Sequence, residues 1–327
     1  MDFDLTEDQT EIKNVARELL SARSPFSTVR EAAEAGAYPE ALWSEIVDLG
    51  WPGIAVEEQY GGQGLGAVEL AVLLEELGYA CAATPFLSTA VAAAVIQATG
   101  SDEQRERWLP GLAAGEVKAG VGTAELAVDG HGADVVVLLD GDGARLLESP
   151  RAELLETIDS TRRFATVNGD GEALGAGATG RVHAAVGAEV VGVCQRALEM
   201  TLDYVKERKQ FGVAVGSFQA VAHRCAQMLL HTESARSTAY FAAWAADADA
   251  ERLPEAAALA GAAAATGGKE VTASAIQAHG GIGFTWEADV HWLYKRAQLD
   301  SALLGGAKPH HAALARAAAE RAAVPLQ

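Results

Sequence analysis

An interrupted helical pattern in the C-terminal half of the chain constrains the fold more than any other feature of the sequence. Apolar residues recur at helical spacing from Ala184 to Lys206, stop at Phe211-Gly212 and resume from Phe218. A glycine after an aromatic residue ends a helix readily, and the renewed periodicity requires a second helix. We therefore predict two long antiparallel helices that are joined by a short corner.

The residues of this corner are of the types that bind a dinucleotide. The Arg208 guanidinium could pair with a pyrophosphate, and the Phe211 ring could stack on a ligand. Gln210 or Gln219 could supply hydrogen bonds. Under the alternative interpretation, Arg208 and Lys209 only complement the negative end of a helix dipole. Spacing alone leaves both interpretations open.

A second motif follows an alanine-rich helical stretch from Glu255 to Ala278. This stretch ends in a turn in which Gln277 precedes Gly280, Gly281 and Gly283. Such glycines either cap the helix or allow a phosphate group to approach backbone N–H groups. Capping is the commoner use of glycine at a helix end, so the turn by itself does not establish a binding site.

The two motifs together, in this order and at this separation, resemble the C-terminal half of the acyl-CoA dehydrogenase family. In that family an R-x-Q-F-G corner and a Q-x-x-G-G-x-G turn from neighbouring subunits hold FAD. The resemblance implies FAD as cofactor, an acyl-CoA as substrate and an electron-transferring flavoprotein as electron acceptor. The residues that it assigns to cofactor binding are Arg208, Gln210, Phe211, Phe218, Gln219, Gln277, Gly280, Gly281 and Gly283.

Composition narrows the possible partners and the compartment. The formal charge of −20 argues against nucleic acid or an anionic membrane as a partner. Cys81, Cys194 and Cys225 lie in apolar helical runs without metal-like spacing, so we expect reduced thiols and a cytoplasmic protein. The acidic Met1–Asp4 start resembles neither a signal peptide nor a transit peptide, and no apolar run is long enough to span a bilayer.

The chain divides into three predicted regions: a helical domain at 1–116, a reduced β domain at 117–180 and a helical bundle at 181–327. A capping box at Thr6 and an N-cap at Ser101 mark helix starts in the first region, and polar residues 247–258 connect two helices of the third. The fold class is mainly α with a small central β region, similar to an acyl-CoA dehydrogenase with a C-terminal four-helix bundle. The other predicted elements are helices Pro39–Leu49, Val68–Leu77, Pro85–Thr99 and Asp102–Leu112, and strands Val117–Thr123, Asp134–Leu139, Ala144–Leu147 and Ala165–Val167.

The β region departs from the family at its beginning. The family carries a Thr-Glu-Pro-like strand that covers the flavin, an Ala-Gly-Ser-Asp-like turn and a Trp-x-Thr-Asn-like element. Here Gly122–Glu125 leads almost directly into Val135–Val137. We therefore expect this chain to lack part of the surface that contacts the flavin ring and the acyl chain.

The residue that should remove the α-proton of the substrate is also missing. In the family a glutamate followed by Gly-Thr removes this proton while the β-hydrogen leaves as hydride to the flavin. In the family, this glutamate follows shortly after a helix that carries a Lys/Arg. When Lys295–Ala297 is aligned with that helix, the position of the glutamate falls at Leu304 and Gly305. A second position used by some relatives falls at 181–184, which also lacks an acid. The catalytic base therefore stays unknown.

Several other polar residues are of types that could act in a site. Glu189 and Asp300 are weak candidates for a displaced base, since a carboxylate on a helix is usually solvated or paired. Glu287 and Asp289 better suit the geometry of the glycine turn or a subunit contact, and His279 better suits packing. The adjacent pair His310-His311 has no partner at metal-ligand spacing, so no metal site is expected.

Three functional hypotheses follow from a retained cofactor corner and an absent base. In the first, the chain resembles the shorter subunit of heteromeric acyl-CoA dehydrogenases, such as the actinobacterial enzymes for steroid side-chain CoA thioesters, and a second acyl-CoA dehydrogenase-like subunit supplies the glutamate. In the second, it is a homomeric dehydrogenase with a relocated base. In the third, it is a non-catalytic subunit that serves assembly only.

Overall fold

The fold is taken from a computed structural model that describes residues 4–323. The expectation about the acidic start concerns Met1–Asp4, of which the first three residues lie outside the described part. The fold class, mainly α with a small central sheet and similar to an acyl-CoA dehydrogenase, is confirmed.

The N-terminal region consists of α-helices with two short 3-10 helices between the third and the fourth. Thr6 and Ser101 each cap a helix through a capping box, as predicted, because each side chain accepts from the backbone N–H three residues later. The elements are α1 Glu7–Arg23, α2 Phe26–Ala35, α3 Glu40–Asp48, the 3-10 helices Trp51–Gly53 and Glu58–Tyr60, α4 Ala67–Tyr79, α5 Phe86–Thr99 and α6 Asp102–Ala113.

The central region forms one seven-stranded sheet with the strand order β5-β6-β2-β1-β3-β4-β7. Strands β1 and β3 run parallel, with Val121 opposite Val137, and every other pair in this sheet is antiparallel. Four strands match predicted runs, whereas β2, β5 and β7 were not predicted. The strands are β1 Ala119–Gly122, β2 Ala127–Val128, β3 Val135–Asp140, β4 Gly143–Glu148, β5 Arg151–Leu155, β6 Phe164–Asn168 and β7 Glu172–Leu174.

The C-terminal region places three long helices side by side and packs two shorter helices against the third of them. The predicted corner is a small hairpin followed by a 3-10 turn. The predicted connection at 247–258 is wrong in extent, because only Asp249–Arg252 lies between the helices and alanine carries both helices further. The elements are α7 Ala178–Glu207, β8 Lys209–Gln210, β9 Val213–Ala214, a 3-10 turn Val215–Ser217, α8 Gln219–Ala248, α9 Leu253–His279, a 3-10 turn Gly280–Phe284, α10 Val290–Leu303 and α11 Ala307–Ala323.

One hydrophobic core runs through all three regions, from Ala16 in α1 through Val135 in the sheet to Leu304 after α10. The three cysteines are buried and free, as expected, although Cys81 lies in the turn after α4 and not in a helix. Within residues 4–323, no helix is long and apolar enough to cross a membrane.

Candidate functional site

The two predicted cofactor motifs lie at the same end of the C-terminal bundle. Helices α8 and α9 pack side by side, and the Arg224 guanidinium donates to the Ser274 hydroxyl at 3.2 Å near the end of the pair where α8 begins and α9 ends. At the end of the bundle the Tyr204 ring of α7 stacks on the His279 ring of α9, with centroids 4.4 Å apart. His279 also bonds through Nδ1 to the Ala275 carbonyl at 2.7 Å. This histidine therefore fixes the end of α9 by packing.

The corner residues are presented to solvent. The Phe211 side chain is 94% exposed and its backbone φ is 52°, a left-handed conformation that a bulky residue seldom adopts. Its ring meets the Phe218 ring edge-on at 6.3 Å. Arg208 follows the last residue of α7 and makes no ion pair within the described chain, so its guanidinium is uncommitted. Gln210 bonds only to the carbonyl of the preceding residue, and Gln219 begins α8.

The glycines of the second motif have two different uses. A Cβ on Gly280 or Gly281 would meet open space, so the backbone of these residues is accessible to a ligand. Gly280 has φ 66° and ψ −141°, a conformation that glycine alone adopts readily. A Cβ on Gly283 would instead collide with the Ile276 carbonyl, so the third glycine is needed for packing.

A cavity of about 500 Å³ lies beside this turn and is lined in part by Gln277, Gly283, Trp286, His291 and Lys295. The Lys295 ammonium lies 4.2 Å from the centre of the Trp286 ring and has no carboxylate partner in the described chain. Burial lowers its pKa. Both ring nitrogens of His291 are buried without a hydrogen-bond partner, and burial, then Lys295, lowers the pKa of this histidine to about 4.

Sequence reasoning missed these three side chains. Trp286 is 65% exposed, which is unusual for so large an apolar side chain, and it follows the glycine turn by three residues. Its position next to the Gly280–Gly283 motif was the available signal. The nearby Asp289 pairs with Arg30 of α2 at 3.0 Å, so this carboxylate ties the turn to the N-terminal region.

Of the two residues at the place where the family carries its base, Leu304 is buried and Gly305 is exposed. The Leu304 side chain is 2% exposed, and its carbonyl accepts from His310 Nε2 at 2.8 Å. The adjacent space between the sheet, α5, α7 and the end of α10 is a void of about 10 Å³. The void is lined by Leu87, Val91, Val121, Gly122, Val128, Leu139, Val182, Val186 and Leu303.

The two candidate bases lie in a buried cluster of ion pairs, the 159–300 cluster, formed by Asp159, Arg162, Glu189, Arg296 and Asp300. Arg162 pairs with Glu189 and, at 2.8 Å, with Asp300. Arg296 pairs with Asp159 at 2.8 Å and with Glu189 at 3.1 Å. None of the five residues is more than 6% exposed. Neither candidate base lines the void or the large cavity.

The surroundings of the 159–300 cluster shift the pKa values of Asp159 and Asp300 in opposite directions. Burial would raise the pKa of Asp159, but Arg296, Thr161 and Arg162 together hold it below its usual value. Burial and the neighbouring Glu189 raise the pKa of Asp300 well above its usual value despite both arginines. Three carboxylates thus share two guanidinium groups, and a proton on Asp300 makes the cluster neutral. This arrangement suits a structural role, and the role of either acid as a base stays an untested prediction.

The other histidines do not form a metal site. His310 contacts the edge of the His183 ring, with centroids 4.8 Å apart. Among the residues that the structure describes, no group of three or more His, Cys, Asp or Glu side chains could hold a metal ion.

Comparison with protein families assigns both ends of the chain. Residues 6–116 match the N-terminal domain of acyl-CoA dehydrogenases, and residues 174–319 match their C-terminal domain. The chain belongs to the acyl-CoA dehydrogenase family. This confirms the resemblance that was drawn from the corner and the glycine turn.

Individual relatives are similar over nearly their full length. The chain is 33% identical to acyl-CoA dehydrogenase IpdE2 of Mycolicibacterium smegmatis, covering 92% of this chain and 96% of the relative. The solved structure of a Tcur3481-Tcur3483 steroid acyl-CoA dehydrogenase variant matches with a TM-score of 0.89 and 30% identity, covering 97% of this chain and 99% of that one. A chain of the ChsE4-ChsE5 complex from Mycobacterium tuberculosis matches with a TM-score of 0.86 and 25% identity over the whole of both chains.

The acyl-CoA dehydrogenases are flavin oxidoreductases whose cofactor is FAD, as the sequence predicted. The observed corner fits this cofactor. It offers an uncommitted guanidinium at Arg208 and open backbone at Gly280 and Gly281. The amide of Gln277 lines the neighbouring cavity. A free guanidinium and a side-chain amide are suited to a pyrophosphate, and glycine allows the ligand to approach the backbone closely.

Proposed function

We propose that this acyl-CoA dehydrogenase chain is the subunit of a two-protein enzyme that contributes one half of an FAD site, while its partner subunit contributes the catalytic glutamate. The observation that carries the proposal is the contrast between an exposed cofactor corner and a buried leucine at the base position. Phe211 is almost fully exposed, whereas Leu304 is buried beside a void of about 10 Å³.

The buried leucine argues against desaturation by this chain's own residues. A general base for an acyl-CoA must reach the α-carbon of the substrate in a water-free pocket. A void of about 10 Å³ is at the lower limit of the space that one water molecule needs, so the void beside Leu303 has no room for an acyl chain. No carboxylate lines this void.

The exposed corner suits a cofactor that is shared between subunits. Arg208 would pair with the pyrophosphate of FAD, and Gln277 and the backbone of Gly280 and Gly281 would hold it by hydrogen bonds. Phe211 would pack on the adenosine half. Bound FAD supplies the acceptor for the hydride that leaves the substrate. A ring that is 94% exposed costs solvation free energy until a partner or ligand covers it, which favours a composite site.

The names of similar proteins support the partner and the substrate class. The ChsE4-ChsE5 structure is a complex of two proteins, and the Tcur3481-Tcur3483 protein is described as a steroid acyl-CoA dehydrogenase. A further similar structure is that of an electron transferring flavoprotein, with a TM-score of 0.86. We infer a CoA thioester of a steroid as substrate, an electron-transferring flavoprotein as acceptor, a heterotetramer of two unlike subunits and a cytoplasmic location.

The test is the visible absorption spectrum of the chain purified alone and co-purified with the acyl-CoA dehydrogenase-like protein encoded beside it. We expect flavin absorption only in the complex. Arg208→Gln should lower the flavin content of the complex, whereas Arg316→Gln, an exposed arginine on α11, should leave it unchanged.

Two results would contradict the proposal. A lone chain that is yellow and bleaches with an acyl-CoA has its own base, and Glu189→Gln and Asp300→Asn would then show which acid is used. A complex that forms without any flavin, and whose assembly survives Arg208→Gln, would show that the chain serves assembly only.

A further inference from the structure

A second pocket lies between α1, α2, α4 and α7 and shares no residue with the cofactor corner. It has a volume of about 180 Å³. The side chains that line it and carry the argument are those of Arg17, Ser24, Phe26, Tyr79 and Arg196. A single water molecule needs about 10–15 Å³ of such space, so a pocket of about 180 Å³ has room for a small oxyanion and several water molecules.

The Arg196 guanidinium is an uncommitted cation in this pocket. It donates from Nη1 to the Tyr79 hydroxyl at 3.0 Å and makes no ion pair within residues 4–323. Its Cζ lies 5.0 Å from the centre of the Tyr79 ring and 5.6 Å from that of Phe26, so two aromatic rings hold its plane. Its remaining N–H groups have no partner in the protein.

The carboxylates near the pocket are already engaged. Glu76 pairs with Arg17 and lies 3.6 Å from the Lys13 ammonium. Glu199 accepts from the Tyr79 hydroxyl and, at 2.7 Å, from the Gln195 amide. Glu76 also lines the pocket, so the lining side chains carry the two guanidinium groups of Arg17 and Arg196 against one carboxylate.

Two further donors converge on the same space. Ser24 is only 6% exposed, lines the pocket and makes no hydrogen bond through its hydroxyl in the described chain. The ten-residue helix α2 begins at Phe26, and Pro25 at its N-cap provides no side-chain acceptor for the N–H groups of the first turn. The positive end of this helix dipole adds to the charge of Arg196.

We propose that this pocket binds a small oxyanion, namely inorganic phosphate or the phosphate group of a small monoester. A free guanidinium, a serine hydroxyl without a protein partner and an uncapped helix N-terminus are three kinds of donor that phosphate oxygens accept from. The chain carries a net charge of −20, so a cationic pocket of this kind is a local exception.

The test is a thermal unfolding titration of the full chain, or of its complex, with inorganic phosphate against sodium chloride of equal ionic strength. We expect phosphate to raise Tm by an amount on the order of 2 °C at concentrations well above Kd. Arg196→Gln and Ser24→Ala should each abolish the phosphate-specific rise, and Arg316→Gln should retain it. Ser24→Asp should raise Tm without phosphate and remove the response.

The outcomes separate binding from a general salt effect. Phosphate also stabilises proteins non-specifically through exclusion from their surface. An equal rise in wild type, Arg196→Gln and Ser24→Ala would therefore overturn the proposal. A response to inorganic phosphate alone identifies a free ion as the ligand, and an equal response to phenyl phosphate identifies a monoester. The flavin content of the complex does not enter this test, so its result is independent of the proposed function.

Discussion

Replacing Arg296 with methionine tests whether the 159–300 cluster holds the C-terminal helices to the rest of the chain. The guanidinium is fully buried. It donates to Asp159 at 2.8 Å, to Glu189 at 3.1 Å, to the Thr161 hydroxyl at 2.6 Å and to the Ala82 carbonyl at 3.2 Å. Methionine has a similar length and fills the space with apolar atoms, but it removes every one of these bonds.

The expected cost is large because the acceptors stay behind. Removing one partner of a buried ion pair destabilises a protein by about 3–5 kcal/mol, since the other charge remains without compensation. Asp159 would keep its bond to Thr161, and Glu189 would keep Arg162. We therefore expect a loss of about 3 kcal/mol, out of a total stability of about 5–15 kcal/mol for a typical protein.

Urea unfolding, followed by circular dichroism, measures this loss. Arg321→Met is the matched control, because Arg321 pairs with Glu255 on the surface and should give no measurable change. Asp300→Asn should cost far less than Arg296→Met near neutral pH. Burial raises the folded-state pKa of Asp300, so the unfolded chain loses this proton first as the pH rises above about 4, which is the ordinary pKa of the acid. The free energy of unfolding therefore falls until the pH reaches the folded-state pKa. Asparagine removes that dependence.

A result in which Arg296→Met is as stable as Arg321→Met, or more stable than wild type, would refute this reasoning. It would show that burying the five charged groups costs as much as their pairing returns, and that an apolar interior serves equally well at this position.

Three further predictions concern packing, pH and the cofactor. Gly192→Ala should destabilise the chain by about 1–3 kcal/mol in urea unfolding, because a Cβ would collide with the Glu75 carbonyl of α4, whereas Gly187→Ala in the same helix, with no contact under 3.6 Å, should be neutral or stabilising. Burial lowers the pKa of His183 to about 3, so the unfolded chain binds a proton first as pH falls below about 6.5; His183→Gln should reduce the stability lost between pH 7 and pH 5 by about 2 kcal/mol. Gly281→Val should leave the Tm of the lone chain unchanged, because a Cβ meets open space there, and should lower the FAD content of the complex; retention of full FAD would exclude this backbone from the site.

The helices were predictable because their signals are local. The capping box at Thr6 and the N-cap at Ser101 each depend on residues within one turn, and both occur as predicted. The strands β2 and β7 were missed because two or three residues give no clear period, and β5 was missed because its five residues end in two adjacent leucines and show no sustained alternation. The connection predicted at 247–258 was too long, because the alanine-containing residues on either side of Asp249–Arg252 fold as helix.

The candidate site was predictable only where neighbours in sequence carry it. The corner at Arg208 and the turn at Gly280 were found from short motifs, and the structure brings them together through the contact between Tyr204 and His279. The 159–300 cluster could not be found, because its bond between Arg162 and Asp300 joins residues 138 positions apart. Without a fold, a buried carboxylate cannot be distinguished from a solvated one.

The closed void beside Leu303 also affects how the chain unfolds. Because the void beside Leu303 is too small to interrupt the packing of the sheet against α5 and α7 at that place, apolar contacts continue from the N-terminal helices through the sheet into the bundle. A chain whose regions share one interior gains little by opening a single region, since each opening exposes the surfaces of its neighbours. All three regions should therefore melt in one cooperative transition, with calorimetric and van't Hoff enthalpies that agree.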